Sequence, residues 1–150
     1  MDLKPQLRPV LGVALVSLLF CGIFFPLLVT GIAQVILPYQ ANGEVVQANG
    51  HPVGSELIAQ QFNSPRFLHP RTANESASGV DPDITLADAL SQVPRLQEAT
   101  GIPADNITAV IEQHVEGVYL GFGVPYVNVL DVNLALTAAF PSAYSSTLAP

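Results

Sequence analysis

The chain has 150 residues, enough for one domain, with 49% apolar composition, only 11% charged residues and a formal charge of −7. Five basic residues against twelve acids exclude a nucleic-acid binder. The length excludes a multi-span transporter, and the distribution of apolar residues excludes a purely cytosolic globule. Residues 9–43 contain no Asp, Glu, Lys, Arg or His, and residues 10–37 are broken only by small or weakly polar types.

A bilayer core about 30 Å thick needs about 20 apolar helical residues, so residues 10–37 predict a transmembrane helix. A signal-peptide core is shorter, about 7–15 residues, which favours a retained anchor, although Gly31-Ile32-Ala33 is a small-x-small triplet that could be cut after Ala33. Pro26 fits a kinked span or the end of a signal core. Lys4 and Arg8 precede the run and the first charge after it is Glu44, so residues 1–9 are expected in the cytoplasm. Residues 38–140 then form an extracytoplasmic domain with residues 141–150 as a polar tail. Residues 44–150 carry three arginines against eleven acids, a net of −8. The single cysteine, Cys21, lies within the apolar run, so no disulfide framework exists and it reads as a small buried hydrophobe.

Along the domain, residues 38–42 read as an exit linker. Val45-Val46 suggests a strand running into an Asn49-Gly50 turn, and residues 55–62 a second strand. Thr85 with Asp88 reads as a helix cap, and Leu86, Ala89, Leu90, Val93 and Leu96 keep helical spacing up to a stop at Gly101. Pro94 should kink that helix. Pro103 opens a second helix with Ile107, Val110, Ile111 and Val115 on one face and Gly117 beyond it. Residues 126–130 read as a strand, and Asp131 as the cap of a short helix through Leu136. The expected fold is α+β: one N-terminal transmembrane helix, then a small domain with a short sheet and two or three helices.

Chemistry is sparse. His114 and Glu116 are two residues apart, on different faces of a helix, and make a poor metal pair. Asp81 and Asp83 flank Pro82 in a stretch that reads as a turn more readily than as a cation loop. Gly121-Phe122-Gly123 reads as a loop that permits close backbone approach. There is no P-loop, nucleophile elbow or HExxH, and neither a catalytic nor a metal residue is expected.

Ordered blocks carry a more specific signal. They begin with Gly54-Ser55-Glu56-Leu57-Ile58-Ala59-Gln60-Gln61-Phe62, then Pro65-Arg66-Phe67 and Arg71, then Ser76-Ala77-Ser78-Gly79-Val80-Asp81-Pro82-Asp83-Ile84. His114-Val115-Glu116, Leu120-Gly121-Phe122, Pro125, Val127-Asn128-Val129-Leu130 and Asn133-Leu134-Ala135-Leu136 follow in the same order. With the span, they resemble the C subunit of the Kdp-type potassium-transporting ATPase over nearly the whole chain to Leu136. The positions that carry the resemblance are Gly54, Ser55, Leu57, Gln60, Phe62, Pro65, Arg71, Ser78, Gly79, Asp81, Pro82, His114, Glu116, Gly121, Asn128 and Asn133. Two departures stand out: the family has a longer Ser/Gly/Asn-rich stretch and more helix between Arg71 and Ser76, and an unbroken helix where Pro94 stands.

The resemblance implies a non-catalytic single-span accessory subunit in the cell inner membrane. Its partners would be a potassium-conducting subunit, a P-type ATPase subunit and a very small membrane subunit. It would hold no cofactor of its own, ATP and K+ being handled by the complex, and would act as a catalytic chaperone raising the ATP affinity of the ATPase subunit. An external domain cannot reach cytoplasmic ATP, so such an effect requires coupling across the membrane. The alternative is a secreted or membrane-anchored binding module unrelated to transport.

Overall fold

The structure is a computed structural model that describes residues 4–48, 50–72, 76–118 and 122–144. The chain divides into two compact units, Met1–Glu44 and Val45–Pro150. In the first, helix α1 (Lys4–Leu19) runs through a π turn (Phe20–Phe24) into α2 (Phe25–Ile36). Pro26 has no N–H, and its ring would crowd the carbonyl four residues back. The π turn widens the helix just ahead of it, the Phe25 N–H donating to the Phe20 carbonyl, so the helix continues where a proline would otherwise break it. The apolar stretch Arg8–Ile36 has 29 residues. That is about 40 Å of helix, enough to cross a membrane. Its side chains are exposed, Cys21 among them, and Cys21 is therefore not the buried hydrophobe expected. The exit linker is a helical turn, α3 (Pro38–Ala41), held by a reciprocal pair between the Asn42 and Gln34 amides at 3.1 and 3.2 Å.

The second unit is α+β. Strands β1 (Val45–Ala48) and β2 (His51–Ser55) form an antiparallel hairpin whose register shifts between Val46 and Gln47, opposite Pro52 and Gly54. A proline that cannot donate and a side-chain-free glycine in one short strand favour such a bulge. Asn49 of the expected turn lies outside the described residues. A second antiparallel pair joins β3 (Asp83–Thr85) to β4 (Tyr126–Asn128), with Ile84 opposite Val127. Helices α4 (Leu86–Ser91), α5 (Val93–Thr100), α6 (Ala104–Gln113), α7 (Val129–Ala139) and α8 (Pro141–Tyr144) complete the unit. The core is the expected apolar spacing made solid: Ala89, Val93 and Leu96 from α4 and α5, Ile107 and Ile111 from α6, closing on Ile84, Val127, Val132 and Leu136.

Local signals behave as chemistry requires where they are strong. The Thr85 hydroxyl accepts from the Asp88 N–H at 3.1 Å, and Gly101 ends α5 at φ 75°. Several boundaries differ from the sequence reading. Residues 55–62 are not a strand: β2 ends at Ser55, whose Oγ takes the Leu57 N–H at 3.2 Å and turns the chain. Pro94 marks a full break, because it sits at the start of a new helix, α5, after Gln92. Helix α6 stops at Gln113, where the His114 ring bonds the Val110 carbonyl at 2.8 Å, so Glu116 is not helical at all. Asn128, not Asp131, caps α7, accepting the Leu130 and Asp131 N–H groups at 3.0 and 3.4 Å; the strand therefore ends two residues early and the helix runs to Ala139.

The segment assigned to the tail begins with α8, and Tyr144 is 1% exposed, stacked 5.3 Å from Phe67 and donating its hydroxyl to the Arg66 carbonyl at 3.0 Å. Tyr144→Ala should therefore destabilise the domain by about 3–5 kcal/mol, the usual cost of deleting a buried aromatic side chain. Denaturant unfolding of the chain in detergent measures it; a change within about 0.5 kcal/mol, the range of ordinary surface substitutions, would place Tyr144 outside the core.

Candidate functional site

Two features gather the residues singled out by sequence. The first is the irregular segment 64–69, which crosses the core with Phe67 and Leu68 buried. Buried backbone groups without a strand partner must be satisfied another way. Asn133 of α7 accepts the Leu68 N–H at 2.7 Å and donates to the Leu68 carbonyl at 3.0 Å. Gln92, at the break between α4 and α5, does the same for His69, accepting its N–H at 2.9 Å and donating to its carbonyl at 3.1 Å. Arg95 donates to the Pro65 and Phe67 carbonyls at 2.6 and 3.0 Å, and Arg66 donates to the Ala143 carbonyl at 3.0 Å. Side chains from α5, α7 and α8 thus replace a missing β-ladder.

The second feature is an acidic face around Asn128. The Asn128 amide donates to the Glu56 carbonyl at 2.9 Å and to Asp83 Oδ1 at 3.3 Å. Burial raises the Asp83 carboxyl above the ordinary aspartate range, with repulsion from Asp81 and Glu116 adding to it and the Asn128 bond opposing it. Burial likewise raises Asp131, with Glu56 and Glu116 adding and His114 opposing. Repulsion from Glu116 raises Tyr126, whose hydroxyl donates to that carboxylate at 3.5 Å. Asp81 accepts the Asp83 N–H at 3.2 Å, the expected turn, and faces Arg71 at 4.0 Å. Among the described residues no group of three His, Cys, Asp or Glu is arranged to hold a metal ion.

The remaining positions distribute around these two. A Cβ on Gly54 would press on Gln60 and Leu130, and Phe62 packs its ring 5.3 Å from Phe67. Ser78 and Gly79 form the turn before β3, with the Ser78 hydroxyl accepting the Val80 N–H, and the Pro82 carbonyl accepts the first N–H of α7. Leu57 is exposed, and Gly121 lies outside the described residues. Gln92, Arg95 and Tyr144 were missed by sequence. Their one signal is contextual: a cation on an otherwise core-facing helix, a glutamine beside a helix break, and a tyrosine in a polar tail.

The chain carries one helix long and apolar enough to cross a membrane and a small α+β unit rich in carboxylates, whose buried loop is held by amide and guanidinium side chains. The family model described as "K+-transporting ATPase, c chain" (KdpC) matches residues 7–75 and 72–138, and the chain belongs to that family. Three relatives carry the description potassium-transporting ATPase KdpC subunit. That of Caulobacter sp. (strain K31) is 35% identical over 91% of this chain and 95% of its own length. That of Gemmatimonas aurantiaca is 33% identical over 93% and 98%, and that of Caldanaerobacter subterraneus 29% identical over 87% and 94%. The chain is accordingly an accessory subunit of a potassium uptake complex, and nothing in these matches supports an unrelated binding module. The family match splits at residues 72–75, and the Caulobacter alignment runs over 187 positions against 150 residues here, so relatives carry residues this chain lacks.

The raised carboxyls make a prediction about pH. Asp131 holds its proton more tightly folded than unfolded, so the stabilisation it gives is complete below the unfolded value of about 3.9 and is lost as pH rises through the higher folded value. Asp131→Asn should raise the melting temperature at about pH 7 and leave it unchanged near about pH 3.5. Thermal unfolding at both pH values decides; a lower melting temperature for the variant at neutral pH would contradict the assignment.

Proposed function

We propose that the chain is a non-catalytic subunit whose α+β domain lies on the outer side of the cell inner membrane, residues 1–9 remaining in the cytoplasm. Its partners are a potassium-conducting subunit, a P-type ATPase subunit and a very small membrane subunit. It raises the ATP affinity of the ATPase subunit by coupling through the membrane and not by holding nucleotide itself. Lys4 and Arg8 before the span and Glu44 after it support the orientation.

One observation carries the rest: the three arginines of the domain are all engaged in structural contacts. Arg66 and Arg95 hold backbone carbonyls, and Arg71 faces Asp81. Polyphosphate recognition needs cationic side chains or a cradle of backbone N–H groups, and this domain has no lysine and no P-loop. Its net charge of −8, three arginines against eleven acids, repels nucleotide and concentrates cations within about 8–10 Å of the surface. That field assists potassium entry without distinguishing it from sodium, so selectivity resides in another subunit.

Calorimetry on the purified full chain in detergent should show ATP binding no tighter than millimolar, whereas micromolar binding would overturn direct exclusion of nucleotide. A reporter enzyme fused after Pro150 should be active only outside the cytoplasm; cytoplasmic activity would overturn both the orientation and the transmembrane coupling.

A further inference from the structure

An apolar groove of about 690 Å³ runs along α7, bounded by that helix, the β1–β2 hairpin and the loop that leads into the buttressed segment. Leu130, Leu134 and Ala138 stand four residues apart on one stripe of the helix, Val53 lines the groove from the hairpin, and Phe62 and Phe67 line it from the loop. The groove has the size of a ligand site, and none of its lining residues is charged. Its two polar helix residues are already spent. The Asn133 amide holds both backbone groups of Leu68, and the Thr137 hydroxyl donates to the Leu134 carbonyl at 2.7 Å. A peptide laid here would bring N–H and C=O groups that those side chains cannot satisfy, whereas a hydrocarbon chain brings none. The length agrees: from Leu130 to Ala138 the stripe extends about 12 Å, and each leaflet of a bilayer core about 30 Å thick holds acyl chains reaching about 15 Å.

Connectivity and charge choose the lipid. Strand β1 begins at Val45, nine residues after α2 ends at Ile36, so the hairpin is tethered to a helix able to cross a membrane and lipid stays at high local concentration. Three arginines against eleven acids in residues 44–150 repel an anionic headgroup. The Leu130 end of the stripe adjoins acids that attract an ammonium. Asp131 is the next residue, and the Asn128 amide, two residues before Leu130, holds the Glu56 carbonyl at 2.9 Å. Glu56 is near enough to add to the raising of the Asp131 carboxyl. We propose that this groove binds one acyl chain of a zwitterionic aminophospholipid, phosphatidylethanolamine, with the ammonium group of its head at the Leu130 end beside Glu56 and Asp131. Each methylene that enters leaves water without leaving a polar group unpaired, and the bound lipid gives the domain a membrane contact in addition to the helix.

The test uses the full chain, expressed in membranes with its co-encoded subunits, purified through its own tag and reconstituted in vesicles of phosphatidylethanolamine and phosphatidylglycerol in equal parts. A trace of phosphatidylethanolamine carries a diazirine at the end of one acyl chain, and the adducts formed on irradiation are mapped by mass. Residues 8–36 should be labelled by the surrounding bilayer, and a second set of adducts should fall on residues 130–138 and Phe62. A groove covered by another subunit or by a second copy leaves adducts on residues 8–36 alone, and that result overturns the proposal. A phosphatidylglycerol probe should label the domain more weakly while labelling residues 8–36 equally; equal labelling of the domain by both probes overturns the choice of lipid. Ala138→Gln, at an exposed helical position, should leave the melting temperature unchanged and lower labelling of the domain about tenfold, because its amide is left unpaired against hydrocarbon. Labelling of residues 8–36 should not change in that variant. Undiminished labelling of its domain would also overturn the proposal.

Discussion

The domain depends on how the backbone of residues 64–69 is satisfied without a strand beside it. Phe67 and Leu68 must be buried to complete the core, yet their peptide groups cannot be left unpaired, at about 1–3 kcal/mol for each buried orphan. Asn133 and Gln92 each present an amide, which carries a donor and an acceptor together and so imitates a neighbouring strand. Arg95 donates to the Pro65 and Phe67 carbonyls and Tyr144 to the Arg66 carbonyl, while the Arg66 side chain ties the segment to the Ala143 carbonyl. The other arrangements follow from these contacts. Asn133 sets the rotation of α7, the break at Gln92 aims its amide at His69, and α8 is drawn in because Tyr144 reaches the Arg66 carbonyl.

What could be read from sequence was local. The apolar span, the Thr85 cap, the Gly101 stop and the apolar faces of α4, α5 and α6 rest on contacts within one or two helical turns, and all are present. Failures arose where two local signals competed. Asn128 and Asp131 are both good caps, and Asn128 prevails because its side chain also reaches Glu56 and Asp83, partners 72 and 45 residues away. Residues 55–62 read as a strand from sequence, but pairing stops at Ser55, residues 56–62 meet no strand among the described residues, and the Ser55 hydroxyl turns the chain. The contacts of Asn133 with Leu68, 65 residues apart, and of Tyr144 with Arg66, 78 apart, leave no periodic trace. The family resemblance named Asn128, Asn133 and Pro65 without saying what they do; their hydrogen bonds supply that reason.

Relatives carry residues that this chain lacks, and local contacts join the flanks of the place where the family match divides. The match divides at residues 72–75, beyond the buttressed segment and before β3. The flanks are joined by the Ser76 N–H on the Thr72 carbonyl at 3.2 Å and by Arg71 facing Asp81 at 4.0 Å. Its three arginines are engaged within the domain, Arg66 and Arg95 on backbone carbonyls and Arg71 opposite Asp81, while the eleven acids of residues 44–150 leave it a net charge of −8.

Amide hydrogen exchange at Leu68 and His69 tests the central claim most directly. Both amides lie outside any helix or strand, and bonds to Asn133 and Gln92 should nevertheless make them exchange only on global unfolding, with protection matching that of Ile111 in α6. In Asn133→Ala the protection of Leu68 should fall further than that of Ile111. Exchange of Leu68 and His69 at the rate of an exposed loop in the wild-type chain would contradict the account.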